Sequence, residues 1–311
     1  MAAQAALTAP LSVYVRVPAT SANLGPGFDA LGLALALYNE VTAEEAEAVT
    51  VGVEGEGAGR LATGADNVVA RGVRLAYEAA GRPFRGCRIA CVNRIPTARG
   101  LGSSAAAWVG GLVAGNALLG EPLGRDALLA LAARAEGHPD NVAAALLGGL
   151  AVSCATAAGV SAVTLPVPAE LTWVVLIPVV SSSTAEARAV LPASVPRGDA
   201  VFNVQRVALL LAALQSGRLE ALAAALDDRL HQPYRRALFP WMDGVAAAAR
   251  SAGALGCVLS GAGPSLLAVV VGDGEVVARA MVQALAAAGV AGTARALAVD
   301  TDGAAVVGEA P

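Results

Sequence analysis

Residues 96–106 read Pro96-Thr97-Ala98-Arg99-Gly100-Leu101-Gly102-Ser103-Ser104-Ala105-Ala106, which is the most informative stretch of the chain. A strand-like segment precedes it, and a run of small residues typical of a packed helix follows it. Glycine lets the backbone approach a ligand closely, and the free N–H groups of a first helical turn attract anions. The stretch therefore predicts a phosphate-binding loop, with Ser103 and Ser104 in that turn, although a plain glycine–serine helix start would look the same.

A dinucleotide-binding loop is a second interpretation of this stretch. Gly100, Gly102 and Ala105 fit the loose form of that pattern, and Glu121 lies about 20 residues further on, where an acidic residue is expected. However, Glu121 precedes a proline and a helix rather than ending a strand, and a stretch beginning at Gly25 fits the same pattern. The pattern is weak, so a nucleotide-binding oxidoreductase is kept only as an alternative.

Polar groups cluster between two apolar, helix-like segments in the run Glu136-Gly137-His138-Pro139-Asp140-Asn141. A helix stop at Gly137 and a helix cap at Asp140 explain part of the run, but not Glu136 and His138. Phosphoryl transfer from ATP needs a carboxylate that holds Mg²⁺ and a group that orients the nucleophile. Glu136 suits the first role, and Asn141 or Asp140 suits the second.

Two further glycine-rich loops lie at 23–29 and 260–264, and each alone is typical of a turn. The second half of the chain also contains the segments Thr184-Ala185-Glu186-Ala187-Arg188 and His231-Gln232-Pro233-Tyr234-Arg235-Arg236. An arginine fork binds a carboxylate through two hydrogen bonds, although a single arginine is more often a solvated surface residue. These segments are therefore candidates for carboxylate recognition.

Composition narrows the class of protein. The chain has 311 residues, 56% of them hydrophobic, which supports a large core in two ordinary domains or one large domain. The net charge is -4 and no basic run occurs, so nucleic acid is not expected as a partner. All 21 basic residues are arginine, which excludes a Walker A loop and a pyridoxal phosphate Schiff base. Backbone N–H groups, Mg²⁺ and, as a candidate, Arg99 would have to neutralise bound phosphate.

Two uncharged stretches, 101–120 and 141–169, are as long as a membrane span but are interpreted as buried elements, because small residues dominate them. No membrane partner is expected. Cys87 and Cys91 lie on one face of a predicted strand, so buried thiols are favoured over a zinc site. Reduced cysteines, and a first ten residues without a basic start or long apolar core, predict a cytoplasmic protein.

Hydrophobic periodicity predicts the elements of the first half: strands at 11–17, 31–38, 49–53, 87–95 and 150–154, with helices at 68–80, from 103 onward and at 125–135. The second half begins near residue 160. Its predicted strands are at 171–178, 255–260, 265–271 and 293–299, with several helices within 184–252 and one at 275–288. This order predicts a layered α+β fold. The predicted domains are residues 1–160, which bind ATP, and residues 161–311.

Taken together, these motifs resemble those of the GHMP small-molecule kinases. The loop at 96–106 matches the phosphate loop of that family, and Ser260-Gly261-Ala262-Gly263-Pro264-Ser265 matches its C-terminal glycine motif. Residues 18–29 and 136–142 look like the motifs of the members that phosphorylate L-homoserine. The resemblance extends from about Val13 to Val271. It implies an N-terminal domain like that of ribosomal protein S5 and a C-terminal ferredoxin-like domain.

The resemblance also implies a reaction, in which ATP and the small-molecule substrate L-homoserine give O-phospho-L-homoserine and ADP on the way to threonine. Ser104 and Glu136 would hold Mg²⁺, and Asn141 would orient the δ-hydroxyl, while a role for Asp140 as a base is left open. The nucleotide would contact Asn67 and the whole phosphate loop, namely Pro96, Thr97, Ala98, Arg99, Gly100, Leu101, Gly102, Ser103, Ser104, Ala105 and Ala106.

The same resemblance implies how the amino acid is bound. Its ammonium needs an anion and its carboxylate needs a cation. Asn23, Asp29 and His138 would contact the amino-acid head. Arg188 and Arg235 would bind its carboxylate, with Thr184 close by.

Two features depart from that family. Ala143-Ala144 stands where Ala-Pro is expected, which would alter only the start of a helix. The chain has no lysine, which argues against a similarity in function to mevalonate kinase. The alternatives left open are a family member that acts on a sugar or isoprenoid alcohol, and a non-catalytic relative that binds ATP as a sensor. A homodimer is also left open.

Overall fold

The computed structural model describes residues 12–157 and 159–308, and two β-sheets organise them. The strands of the first sheet are β1 (Ser12–Ala22), β2 (Leu31–Glu45), β3 (Thr50–Gly55), β4 (Cys87–Asn93), β5 (Leu150–Thr156) and β6 (Gly159–Leu165). β1 pairs with β2 and β2 with β4, both antiparallel, whereas β3 pairs with β4 in parallel. β5 pairs with the start of β2 and carries β6 on its other side.

Four helices cover this sheet: α1 (Val68–Ala79), α2 (Ser103–Leu118), α3 (Arg125–Glu136) and α4 (Asp140–Leu147). α2 is buried nearly all round, as expected for a helix that is apolar on every face. Its small residues, among them Gly111, let α1 approach closely, since a Cβ at Gly111 would lie 2.2 Å from the Val69 carbonyl oxygen. The first turn of α2 is therefore held firmly over the sheet.

Between β1 and β2 the register shifts after Pro18, which pairs with Tyr38, while the next residue, Ala19, pairs with Leu35. Proline has no N–H to donate to the ladder, so such an irregularity is expected there. Beyond the shift, β1 is buried on both faces up to Ala22 and leads into the loop at 23–29. The shift thus directs this loop towards the second sheet.

The second sheet has the strand order β10-β7-β9-β8, built from β7 (Leu171–Pro178), β8 (Gly256–Leu259), β9 (Leu266–Val271) and β10 (Gly292–Leu297). Its helices are α5 (Thr184–Ala189), α6 (Arg197–Ser216), α7 (Leu222–Ala225), α8 (Gln232–Arg235), α9 (Met242–Ser251) and α10 (Glu275–Ala287). α9 and α10 pack on this sheet over a separate apolar core. Strand, helices, two strands, helix and strand in this order give the predicted ferredoxin-like arrangement.

The end of the described chain returns to the first sheet. β11 (Ala305–Val306) pairs with β1, and Val299 forms a bridge with Leu35. β6 spans the predicted division at residues 160 and 161 and belongs to the first sheet. The division of the chain into domains at that point stays a prediction.

The predicted α+β class is confirmed, and most elements end within a few residues of their predicted bounds. The predicted end of the second strand at Tyr38 is wrong, because alternating buried residues such as Val41 and Ala43 carry β2 on to Glu45. The strands β6 and β11 were not predicted. Residue 11, where the first strand was predicted to begin, and the first ten residues lie outside the described residues.

Cys87 and Cys91 are buried free thiols, as predicted, and burial raises the pKa of Cys87 to about 11 and that of Cys91 to about 12. Within residues 12–157 and 159–308, no helix has the length and apolar character needed to cross a membrane.

Candidate active site

The three glycine-rich loops, far apart in the sequence, meet at one place between the two sheets. The Gly261 N–H donates to the Ala22 carbonyl (3.1 Å), and the Ser260 hydroxyl donates to the Gly100 carbonyl (2.7 Å). Asn23 Nδ2 donates to the Gly261 carbonyl (2.9 Å). The first and third loops therefore brace the central loop, which leads directly into α2.

Gly102 lies at the start of α2 and needs to be glycine for two reasons. Its φ of 69° is in the left-handed region, and a Cβ there would lie 1.9 Å from the Thr20 hydroxyl oxygen. Thr20 is fully buried, and its hydroxyl donates to Asn141 Oδ1 (2.8 Å). The close approach at Gly102 thus brings the phosphate loop, β1 and the start of α4 together.

Glu136 is the last residue of α3, which ends because Gly137 adopts a left-handed conformation at φ 94°. The Ser104 hydroxyl donates to Glu136 Oε2 (2.7 Å), so the two predicted metal ligands are in direct contact. Burial raises the pKa of Glu136, while the hydrogen bond from Ser104 and the nearby His138 oppose that rise. Two hard oxygen donors are therefore presented together at the start of α2.

Asp140 is the first residue of α4, and the cap position belongs to Pro139, so the prediction that Asp140 caps this helix is wrong. Asp140 is 2% exposed, and its Oδ1 accepts from the Asn141 N–H (2.7 Å) and contacts His138 Nδ1 (3.0 Å). This contact is the main reason that the pKa of His138 is raised. The carboxylate of Asp140 serves to orient its two neighbours.

α4 comes close to the sheet because Gly32 of β2 has no side chain. A Cβ at Gly32 would lie 2.2 Å from the Asp140 carbonyl oxygen. The polar run 136–141 is consequently pressed against the loops described above.

A cleft of about 250 Å³ lies over the phosphate loop. Its walls are Pro96, Ala98, Arg99, Gly100, Leu101, Gly102, Ser103, Ser104, Glu136, His138, Asn141, Ser182, Ser183, Thr184, Gly261, Ala262 and Gly263. Of the predicted nucleotide-binding residues, Ala105 and Ala106 are buried inside α2, and Thr97 and Asn67 are not among the lining residues. The cleft thus joins loops from both sheets.

A smaller pocket continues from this cleft and shares five lining residues with it, namely His138, Asn141, Thr184, Gly261 and Ala262. It is also lined by Ala22, Asn23, Phe28, Asp29, Asp140, Arg188 and Arg235. All six predicted substrate-binding residues therefore surround one pocket, although they come from four segments that lie far apart in the chain.

Two of these residues pair with each other. Arg188 donates to both carboxylate oxygens of Asp29, at 3.0 and 2.7 Å, and this pairing raises the pKa of Arg188. Asp29 has a φ of 55°, and Arg188 is the fifth residue of α5. The anion and one cation of the pocket thus already form a two-bond salt bridge.

Arg235, the other arginine of the pocket, is 2% exposed. Its Nε donates to the Ala187 carbonyl (3.0 Å), and its Nη1 lies 3.0 Å from the Gly261 carbonyl and 3.1 Å from His231 Nδ1. Burial, followed by repulsion from Arg188, lowers the pKa of Arg235 to about 10. The side chain is therefore a buried cation held by neutral groups.

The side chains of three predicted site residues, Asn67, Arg99 and Asn23, form hydrogen bonds to other groups of the protein. Asn67 caps α1 through the Val69 N–H (2.9 Å), and its amide nitrogen donates to the Ala62 carbonyl (2.7 Å). All three guanidinium nitrogens of Arg99 donate to carbonyl oxygens, including those of residues 178 and 179 at the end of β7. Asn23 Oδ1 accepts from the Asp29 N–H (3.1 Å). Arg99 therefore fastens the phosphate loop to the second sheet.

Sequence reasoning missed Thr20, Ser260 and Phe28 as parts of the site and gave no role to His231. Thr20 and Phe28 lie inside the motif at 18–29, but nothing in the residue types showed which partners they meet. Phe28 stacks on His231 with ring centroids 5.2 Å apart. The dinucleotide-binding alternative is wrong, since Glu121 lies in a turn after α2 and not at the end of a strand.

Family profiles match this architecture in both halves of the chain. The profile described as "GHMP kinases N terminal domain" matches residues 67–149, and that described as "GHMP kinases C terminal" matches residues 210–291. The chain belongs to the GHMP kinase family. The resemblance stated from the motifs is confirmed, and so is a phosphotransferase activity that uses ATP on a small-molecule hydroxyl.

Individual members of the GHMP kinase family are similar over nearly the whole chain. The homoserine kinase of Moorella thermoacetica is 48% identical over 94% of this chain and 99% of its own length. That of Carboxydothermus hydrogenoformans is 48% identical over 86% of this chain and 88% of its own length. The crystal structure of homoserine kinase from Cytophaga hutchinsonii has a TM-score of 0.87 at 32% identity, covering 95% of this chain and 97% of that chain.

Proposed function

We propose that the protein transfers the γ-phosphate of ATP to the δ-hydroxyl of L-homoserine, giving O-phospho-L-homoserine and ADP in threonine biosynthesis. The observation that carries this proposal is the junction of two compartments at Asn141. One is the cleft over the phosphate loop, and the other is the pocket that contains Asp29, Arg188 and Arg235. A phosphate donor and an amino acid would meet there, and the relatives at 48% identity carry the name homoserine kinase.

The phosphates of ATP would lie against the start of α2, where unpaired N–H groups and the helix dipole favour negative charge. With no lysine in the chain and Arg99 engaged by carbonyl oxygens, these backbone groups carry most of the protein's attraction for phosphate. The Ser260 hydroxyl, which donates to the Gly100 carbonyl, keeps the loop in shape. The role of Asn67 near the adenine stays a prediction.

The donor set at the mouth of the cleft fits Mg²⁺. Ser104 Oγ and Glu136 Oε2 are hard oxygen donors 2.7 Å apart beside the phosphate loop. Among the residues that the structure describes, no group of three or more His, Cys, Asp or Glu could hold a metal by itself. This matches a cation that takes one or two protein ligands and completes its shell with phosphate and water. Bound there, Mg²⁺ would neutralise charge on the transferred phosphoryl group.

L-Homoserine would be held by both ends of its α-amino-acid group. Arg235 would bind the carboxylate, with Arg188 beside it, and Asp29 would face the ammonium. Since Asp29 and Arg188 form a salt bridge, the zwitterion can place its two charges beside a pair of opposite polarity. His138 and Thr184 would line the side chain of the substrate, which then reaches Asn141.

In the reaction, the δ-oxygen attacks the γ-phosphorus, a new P–O bond forms, the bond to the bridging oxygen of ADP breaks, and the hydroxyl proton passes late to an oxygen of the transferred phosphoryl group or to water. A loose transition state needs little proton removal early, so positioning of the hydroxyl suffices. Asn141 suits this role because the Thr20 hydroxyl engages its Oδ1, which leaves the amide nitrogen to contact the substrate oxygen. Asp140 then acts on the orientation of Asn141 and His138 rather than as the base.

We further propose a cytoplasmic location, since four free cysteines suit a reducing compartment. A homodimer stays a prediction.

Turnover with different acceptors tests the function. Purified protein with Mg-ATP is expected to release ADP with L-homoserine, and not with mevalonate, galactose or L-threonine. ADP release is followed in a coupled assay, and the product is identified by phosphorus NMR. Release with mevalonate or galactose alone would contradict the substrate, and ATP binding without release would favour a sensor.

Thr20→Val is expected to lower kcat about tenfold while both KM values stay within about twofold, because the Asn141 amide loses the partner that orients it. Thr20→Ser, which keeps the hydroxyl, is the control and should retain most of the activity. A wild-type kcat in the valine variant would contradict this role of Thr20.

A further inference from the structure

His231 lies beneath the pocket without lining it, and it is fully buried. It is the only side chain that Arg235 contacts by a hydrogen bond within the described residues, since the other two partners of Arg235 are the carbonyls of Ala187 and Gly261. The direction of the Arg235 fork therefore depends on this ring.

The partners of the ring fix its tautomer. His231 Nε2 lies 2.8 Å from the Gly25 carbonyl oxygen, which can only accept, so Nε2 carries the proton. His231 Nδ1 lies 3.1 Å from Arg235 Nη1, which can only donate, so Nδ1 is the acceptor. Burial lowers the pKa of His231, which keeps the ring neutral and its Nδ1 lone pair available.

The ring is also fixed in position. The carboxylate of Asp228 accepts from the backbone N–H groups of His231 (3.0 Å) and Gln232 (2.7 Å), and it lies 3.5 Å from His231 Nε2. Asn203 holds Asp228 in turn through a hydrogen bond of 2.8 Å. Phe28 stacks on the imidazole at an interplanar angle of 20° and has the Arg235 guanidinium 5.5 Å from its ring centroid.

We propose that His231 is a positioning residue that acts through Arg235 and sets the preference of this site for substrates with an α-carboxylate. The Nδ1 lone pair engages Nη1 and so directs the free edge of the fork into the pocket. This inference rests on the proposed function, in which Arg235 binds the substrate carboxylate. His231 itself contacts no substrate.

Two substitutions separate the two hydrogen bonds of the ring. His231→Asn places an amide oxygen near the position of Nδ1 and keeps an acceptor for Arg235. His231→Gln places an amide nitrogen near the position of Nε2, so it keeps the bond to the Gly25 carbonyl and loses the acceptor. Both variants lose the stacking on Phe28, so each controls for that loss in the other.

The readout compares L-homoserine with 3-aminopropan-1-ol, which has the same chain without the carboxylate. The KM for homoserine and the inhibition constant of 3-aminopropan-1-ol against it are measured for each protein. For His231→Gln we expect the homoserine KM to rise about tenfold, because an N–H of a charged group loses its acceptor. The inhibition constant and the KM for ATP should stay within about twofold, and His231→Asn should resemble the wild type.

If His231 only stabilised the fold, the homoserine KM and the inhibition constant of 3-aminopropan-1-ol would rise in parallel, or His231→Gln and His231→Asn would be impaired equally. Either result would overturn the inference. An unchanged homoserine KM in His231→Gln would do the same. If the wild-type protein did not turn over homoserine at all, the proposed function would fail, and the inference with it. Activity of the wild type thus distinguishes the two failures.

Discussion

Glu136→Gln is expected to lower kcat about 1000-fold, which corresponds to a loss of roughly 4 kcal/mol of transition-state stabilisation. Glutamine has the same size, so the end of α3 and the contact with Ser104 can persist. What disappears is the negative charge that would hold Mg²⁺ on the phosphates. Steady-state ADP release, measured against total Mg²⁺ at saturating ATP and homoserine, gives both kcat and the apparent requirement for metal.

Glu47→Gln is the matched control, because the Glu47 side chain is 89% exposed and lies outside the cleft. Ser104→Ala provides a second comparison. It removes a neutral ligand, so it should lower kcat clearly less than Glu136→Gln does. It should also raise the Mg²⁺ concentration needed for half-maximal activity. A Glu136→Gln variant with near-normal turnover and an unchanged Mg²⁺ requirement would refute the assignment of Glu136 as a metal ligand.

The fold could be predicted from the sequence because its motifs and its periodicity agree. The loop at 96–106 follows a strand and opens a helix, and the structure has that order in β4 and α2. The pattern of strands and helices after residue 170 also predicted the second sheet. What the pattern could not give was β11, which is two residues long and is defined by its pairing with β1.

The composition of the site was predictable, but its internal contacts were not. Asp29 and Arg188 were predicted as separate binding groups, and only the fold brings them within 2.7 Å of each other although they lie 159 positions apart in the chain. Thr20 has no chemical signature that distinguishes it from any buried threonine. Its importance follows from the 2.8 Å contact with Asn141, which depends on the glycine at position 102.

Burial was the other quantity that residue types did not reveal. Arg235 and Arg236 are adjacent, and the sequence alone allowed both to be surface charges. In the structure Arg235 is 2% exposed, whereas the Arg236 side chain is 54% exposed and pairs with Asp243. The first faces the pocket and the second faces away from it.

This difference makes Arg235→Leu the second substitution with a large expected effect. The homoserine KM should rise about 100-fold or more, because a desolvated cation that binds a carboxylate contributes about 2–5 kcal/mol when its partner is present. The KM for ATP should change less than about threefold, since the phosphate loop does not contact this side chain through a hydrogen bond. Initial rates over a grid of homoserine and ATP concentrations separate the two constants.

Leucine removes the Arg235 donor from the Ala187 carbonyl and one of the two side-chain donors, Arg235 and Asn23, from the Gly261 carbonyl, so thermal unfolding is measured alongside, and Arg235→Lys is made as well. Lysine keeps the charge but not the fork, and we expect a homoserine KM between those of the wild type and the leucine variant. Arg236→Leu is the control and should leave both KM values unchanged. Arg188→Leu should raise the homoserine KM less than Arg235→Leu does, because Asp29 neutralises the charge of Arg188. A folded Arg235→Leu protein with an unchanged homoserine KM, or with equal increases in the KM values for homoserine and ATP, would show that Arg235 does not bind the carboxylate.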